Sequence, residues 1–307
     1  MEAVAQPVRR RRRDLLEERR FLAPALIAPA VIFVGLLVGA PLVLSVYLSL
    51  TDATAGSLTG DFVGFRNYTD LWGDPNFRTA LRNTIVFTLL ANAIVILGAS
   101  ILAHFLIREF RGKWFLRFLI LLPWAAPVAL STIGFLWIFD SLFSVVNWTL
   151  KWLHLVDQFN PPQWLGEPNK ALAAITTVHA WRLLPFATVI MIAGLASIPK
   201  EVDDAAKVDG ATGLKKLWYV TLPLQLPIAT IAILFGVVFT ATDMAVVYIL
   251  TRGGPFNSTQ MLPMWAFQTG IQAGSLGQGA AIALFLLPVL AVVTVLMLLF
   301  ARRVEVT

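Results

Sequence analysis

The chain has no cysteine, which excludes disulfides, thiol catalysis and thiolate metal centres. Charge is also scarce: 14% of the 307 residues are Asp, Glu, Lys or Arg, against about 25% in an ordinary soluble domain. The three histidines, His104, His154 and His179, share no metal-ligand spacing, so His104 and His179 read as packed or interfacial residues. No Gly-x-x-x-x-Gly-Lys-Ser/Thr run is present to cradle nucleotide phosphates. Gly-x-Ser-x-Gly and His-Glu-x-x-His are absent as well. A membrane-bound enzyme would need a cluster of that kind, and the chain reads as non-catalytic.

Apolar surface is what the chain has in abundance. Hydrophobic residues make up 58% of it and the mean hydropathy is +0.75, more than a water-soluble fold can bury. A polytopic membrane bundle follows. Six apolar segments can each cross a hydrocarbon core of roughly 30 Å with about 20 residues. They lie near Phe21–Leu50, Thr84–Ile107, Phe118–Phe139, Ala171–Ile198, Pro227–Leu250 and Gly279–Ala301. The first is too long for a signal-peptide core and has no small-x-small cleavage site behind it, so it reads as a retained span.

Basic residues set the orientation. Of the 24 Lys and Arg, 17 fall in the N-terminal tail (Arg9–Arg13, Arg19, Arg20), the Arg108–Arg117 connection, the Lys200–Lys216 loop and Arg302-Arg303. With six spans these all lie on one side, which the positive-inside rule makes cytoplasmic. The net charge of +6 is thus a topology signal, and no nucleic-acid partner is called for. The Arg9–Arg13 run reads as an orientation signal with some attraction to anionic membrane lipid. Trp72, Trp114, Trp148, Trp152, Trp164 and Trp218 fall near the expected interfaces, as an aromatic belt does. Trp137 and Trp181 lie deeper, where packing is preferred over stacking on a ligand ring.

Between the fourth and fifth apolar runs lies a polar island, Asp204-Ala-Ala-Lys-Val-Asp-Gly-Ala211, followed by Leu222-Pro-Leu-Gln-Leu-Pro227. Ser197 is positioned to cap a helix starting at Ile198-Pro199, with Glu201, Asp203 and Asp204 where the helix dipole favours carboxylates. Gly210 suits a left-handed helix end, and Asp209 before it suits bracing of the turn. Thr212 is positioned to cap a second short helix, Gly213–Val220. Ala205 and Ala206 leave a low-relief surface, and Val208, Leu214, Leu217 and Trp218 offer apolar anchors.

This spacing resembles the signature loop, the EAA motif, of permease subunits of binding-protein-dependent ABC importers. The likeness is to the carbohydrate-uptake branch, the maltose-type and glycerol-phosphate-type inner-membrane permeases. Asp204 stands where that family usually has Glu, and Leu217 where it often has Phe. Asp209-Gly210-Ala211 and the spacing of Pro223 and Pro227 match. Similarity extends from about residue 21 to the C-terminus. It includes Phe62-Val-Gly-Phe-Arg-Asn-Tyr68, Leu122-Pro-Trp124, Trp181-Arg-Leu-Leu-Pro-Phe186 and Tyr248-Ile-Leu-Thr-Arg-Gly-Gly-Pro255. Ser144-Val-Val-Asn147 departs from the pattern, because the family often has glycine before that asparagine. A large external insertion of the kind in the longer maltose permease subunit is absent.

The resemblance implies an all-α, polytopic membrane protein. It would have six transmembrane helices and a cytoplasmic coupling helix between spans four and five. Residues 1–20 would form a cytoplasmic basic tail and 21–307 the transmembrane domain, with the coupling loop at 198–226. Asp204, Ala205, Ala206, Asp209, Gly210, Ala211, Leu214 and Leu217 would meet the ATPase. The implied partners are a second, homologous permease, two ATP-binding subunits that carry the ATP and Mg, and an external solute-binding protein that delivers a sugar. That protein would dock on loops Thr51–Ala80, Ser141–Lys170 and Thr251–Gln278. The chain itself would hold no cofactor and no metal. It would sit in a bacterial or archaeal cytoplasmic membrane with both termini inside.

Arg182 and Asp243 fall within expected spans, where charge is costly and marks a functional candidate. They form either an interhelical ion pair or part of a translocation path that reads sugar hydroxyls. His179 lies one turn before Arg182 on the same face. Trp137 and Gln268 are further path candidates, and Asn92 and Gln272 weaker ones. A glycerol-phosphate or polyol permease has the same architecture, with Arg182 available to a phosphate. An ion-coupled secondary transporter would show inverted repeats and discontinuous spans, which the sequence does not reveal.

Overall fold

The computed structural model describes residues 19–305. The Arg9–Arg13 run, and most of the tail expected over 1–20, lies outside the described residues. Among those residues no β-strand forms, and only two isolated bridges, Thr51↔Phe62 and Thr54↔Ser57, interrupt the helices. Helix α1 (Arg19–Val34) runs through a π-turn at Gly35–Gly39 into α2 (Ala40–Ser49). Then come α3 (Arg66–Gly73), α4 (Pro75–Leu106), α5 (Lys113–Ala125), α6 (Val128–Ile138), α7 (Val145–Trp152) and α8 (Pro168–Ala196). The chain continues through α9 (Lys200–Val208), α10 (Gly213–Lys216), a π-turn at Leu217–Thr221, α11 (Leu222–Ala241) and α12 (Ala245–Leu250). It closes with α13 (Leu262–Phe267), a π-turn at Gln268–Gln272 and α14 (Leu276–Glu305).

Five helices are long and apolar enough to cross a membrane, and α5 with α6 makes a sixth span if that bent pair is counted as one. The centre is α4 against α8, with α11 packed on both and α14 on α11. Small side chains line this seam: Ala91, Ala99 and Ala103 of α4 and Ala180 and Ala187 of α8 are buried. With lipid outside there is no hydrophobic gain in joining two apolar helices, so close approach and dispersion hold them, and alanine permits both. The first span is the opposite case. Leu26, Phe33, Leu37 and Val43 are all exposed, as they would be facing lipid or another subunit.

Four expectations need correction. The third span is not one helix over Phe118–Phe139: α5 and α6 meet at 97°. Ala126 is extended (φ −69°, ψ 138°) because the ring of Pro127 disfavours the helical region for the residue before it. The fifth span does not run to Leu250 but stops at Ala241, and Thr242, Asp243 and Met244 separate it from α12. Discontinuous spans are therefore present, although the sequence revealed none. The second span starts at Pro75 rather than Thr84, with the Asp74 carboxylate accepting from the Asn76 N–H at 2.8 Å and proline at the first helical position. Finally, α9 starts at Lys200 behind Pro199, and Ser197 instead ends α8, its hydroxyl donating to the Gly194 carbonyl at 2.9 Å.

Candidate functional site

Two places in this bundle stand out chemically. The first is the elbow formed by α9 and α10. Helix α9 ends in a Schellman turn: Ala211 N–H donates to Ala206 O at 2.8 Å and Gly210 N–H to Lys207 O at 3.1 Å. Gly210 is left-handed at φ +72°, a backbone that a Cβ makes costly. Ala206 and Ala211, the residues such a turn brings together, are both buried, and Ala205 is exposed. Among the described residues the Asp209 carboxylate accepts no hydrogen bond and makes no ion pair, contrary to the turn-bracing role expected of it.

The elbow is held by charge. The Asp203 carboxylate pairs with Lys207 at 2.8 Å and also with Lys216 across the turn. Asp204 pairs with Lys207 at 2.9 Å. Thr212 sits at the N-cap with extended backbone, but its hydroxyl caps nothing. The second short helix expected over Gly213–Val220 is not a separate element. It continues through the π-turn into span five, giving one 29-residue helix, Gly213–Ala241. Val208 (88% exposed), Leu214 and Trp218 show apolar surface to the outside, and Leu217 is half-buried.

The second place is the crossing of α8 with the break after α11. One oxygen of the Asp243 carboxylate accepts from His179 Nδ1 at 3.1 Å and from Arg182 Nη2. Its other oxygen accepts from the Val246 N–H at 3.0 Å, capping α12. His179 is fully buried. Its Nε2 lies 2.9 Å from Thr240 Oγ1, and the Phe87 ring meets the imidazole edge-on. The Thr240 hydroxyl itself donates to the Gly236 carbonyl at 2.7 Å. Asn92 of α4 completes the group, donating to Thr88 O at 2.8 Å and to Thr240 Oγ1 at 3.4 Å. Its Oδ1 and Arg182 Nε are buried without a protein partner. Gly236 makes room for that amide, since a Cβ there would lie 2.0 Å from Asn92 Oδ1.

Arg182, His179, Asp243 and Asn92 are thus gathered at one crossing, with Arg182 and Asp243 forming the interhelical pair. Trp137 and Gln268 are not part of it. Trp137 is 71% exposed on α6. Gln268 accepts from Gln260 Nε2 at 2.6 Å and reaches the Arg252 carbonyl at 3.5 Å, and Gln272 reaches Tyr248 at 3.3 Å, in a separate polar cluster. Trp181 packs edge-on against Phe135, the packing role expected of it. No group of His, Asp and Glu suited to a metal occurs among the described residues.

Residues 94–306 match the family of binding-protein-dependent transport system inner membrane components. The chain belongs to that family. The match takes in the elbow, the α8 and α11 residues of the crossing and the spans after α4, and begins just after Asn92. Among relatives of this permease, the sulfoquinovosyl glycerol transport system permease protein SmoG of Agrobacterium fabrum is 33% identical, over 92% of this chain and 91% of its own. The sn-glycerol-3-phosphate transport system permease protein UgpA of the same organism is 28% identical, over 92% and 96%. A solved bacterial alginate ABC transporter, in complex with an alginate pentasaccharide-bound periplasmic protein, shares the fold. Its TM-score is 0.77 at 19% identity, over 93% of this permease and 96% of that chain.

The sequence marked Asp203 only as an acidic residue near the start of α9, and did not mark Thr240. Asp203 ties the two arms of the elbow, yet it lies just outside the matched motif. Thr240 joins His179 to Asn92, and its only signal was a hydroxyl three residues before Asp243 in an apolar run.

Proposed function

We propose that this permease forms half of a membrane path for a sugar in an ATP-driven importer. A second, homologous permease supplies the other half. Two ATP-binding subunits, which carry the ATP and Mg, lie below, and an external solute-binding protein lies above. On this reading both termini and the elbow are cytoplasmic, residues 1–20 form a basic tail, and 21–307 form the transmembrane domain with its coupling loop at 198–226. The observation that carries the reading is the elbow. It exposes apolar side chains on a turn spanned by ion pairs that continues without interruption into span five. Ala205, Asp204, Asp209 and Leu214 would sit in a cleft of the ATPase, while Ala206, Gly210 and Ala211 shape the turn and Leu217 supports it. Closure of the ATPase pair then tilts span five, and differential binding of ATP to the closed state drives the path from inward to outward facing.

The sugar assignment is supported by relatives and by a fold neighbour whose names specify a sugar glycoside and a polysaccharide. Arg182, His179 and Asp243 are the favoured path residues, and Trp137 and Gln268 would serve only in another part of the path. A polyol phosphate is the second reading, favoured by the glycerol-3-phosphate relative and by the positive charge of Arg182, whose side chain is 17% exposed. Purification from native membranes in mild detergent tests the assembly. An ATP-hydrolysing subunit should come down with the wild type and be lost from Val208→Asp with Leu214→Asp, while the second permease is retained. Transport by the chain alone, driven by an ion gradient, would refute it.

A further inference from the structure

A cavity of about 810 Å³ lies between the C-terminal end of α4 and the start of the span-five helix, apart from the crossing. Leu97, Ile101 and Phe105 form one wall, and Leu217, Trp218 and Leu222 the other. Arg108 and Lys216 also line it. An adjoining cavity of about 330 Å³ shares His104, Arg108, Lys216 and Thr221 with the first and adds Lys200 and Asp203. Lys216 is committed to Asp203, whereas Arg108 and Lys200 have no ion-pair partner among the described residues. His104 Nδ1 donates to the Ser100 carbonyl at 2.8 Å, which leaves Nε2 buried without a hydrogen bond.

The two parts of this wall ask for different chemistry. Two basic groups without an ion-pair partner, Arg108 and Lys200, favour an anion. The apolar wall favours hydrocarbon, and on α4 it runs on as an exposed stripe, Leu90, Ile94, Leu97, Ile101 and Phe105, at helical spacing. Charge and apolar surface meet here within one turn of Trp218, as side chains do where a span leaves the bilayer. A free phosphate would satisfy the basic end and leave the apolar wall bare. An amphiphile with an acidic head satisfies both.

We propose that this cavity is a binding site for an anionic phospholipid. The headgroup phosphate meets Arg108 and Lys200, and an acyl chain lies along the α4 stripe. Basic pockets between membrane helices hold acidic headgroups by the same electrostatics that draw polybasic segments to anionic leaflets.

Native mass spectrometry of the full chain, titrated with phosphatidylglycerol or phosphatidylcholine, tests the assignment. A phosphatidylglycerol carrying a photoactivatable acyl chain then locates the site. The expected result is retention of phosphatidylglycerol over phosphatidylcholine, with label on residues 97–105 and 217–222. Arg108→Gln should weaken retention about fivefold, the worth of one basic residue near a charged surface. Arg111→Gln, the same charge change outside the cavity, should leave it unaltered. Equal losses in the two variants, no preference for the acidic lipid, or label elsewhere would overturn the proposal. Removal of the label by inorganic phosphate would assign the cavity to a soluble anion instead. Loss of label at these residues when the co-purified subunits are present would assign it to a subunit contact. If Arg108→Gln fails to fold, the position of the label on the wild type still decides.

Discussion

The elbow and the crossing use charge in opposite surroundings. At the elbow, Asp203, Asp204, Lys207 and Lys216 pair in view of water. There each pair gains little, because solvent screens it and long side chains lose freedom to form it. At the crossing, the Asp243 side chain is 3% exposed and His179 fully buried, so their partners are obligatory. Surface pairs of the first kind tune an angle. Buried pairs of the second kind fix which helices meet, and removing one member leaves the other unpaired in a medium that cannot solvate it.

Asp243→Ala should break this contrast most severely. It strands Arg182 and His179 and removes the cap on α12, so a loss of about 3 kcal/mol is expected, read as a fall in the thermal midpoint of the purified protein. Asp243→Asn should lose less, because a carboxamide oxygen can still accept from Val246 N–H. Equal losses would mean that the cap contributes nothing. Gly236→Ala comes next: its methyl group collides with Asn92 Oδ1, and about 1–3 kcal/mol of overpacking is expected by the same measurement. Gly210→Val should cost about 1–2 kcal/mol for a branched residue at positive φ. Its larger effect should be on ATP-linked uptake, scored against an unchanged expression level. Lys216→Ala should be smallest in stability, about 0.5 kcal/mol. Distance distributions between spin labels at positions 208 and 214 should nevertheless broaden, since the tether across the turn is gone. A narrow, unshifted distribution would show that the Schellman turn alone sets the angle.

The same contrast explains what could be read in advance. The left-handed glycine, the small residues around it and the acidic first turn of α9 are local features, and local sequence specifies them. Arg182 and Asp243 of the crossing were each visible as costly charges in apolar runs. The joining of His179 to Asp243 was not, because the two are 64 positions apart and only the packing of α8 on α11 brings them together. The bend at Ala126 had a local signal in Pro127, whose ring restricts the residue before it. The stop after Ala241 had none: Thr242-Asp243-Met244 contains neither proline nor glycine, and the turn there depends on the Asp243 carboxylate, which takes up the Val246 N–H. Ser197 lost its expected capping role because Pro199, extended at φ −60° and ψ 145°, already separates the two helices.

The uninterrupted helix from Gly213 to Ala241 joins these two regions end to end. At 1.5 Å per residue it is about 43 Å long, so a tilt of about 10° pivoting at one end carries the other some 7 Å. That is more than a hydrogen bond can stretch. Swinging such a connecting rod from its elbow end would force the Asp243 cluster either to travel with it or to let go.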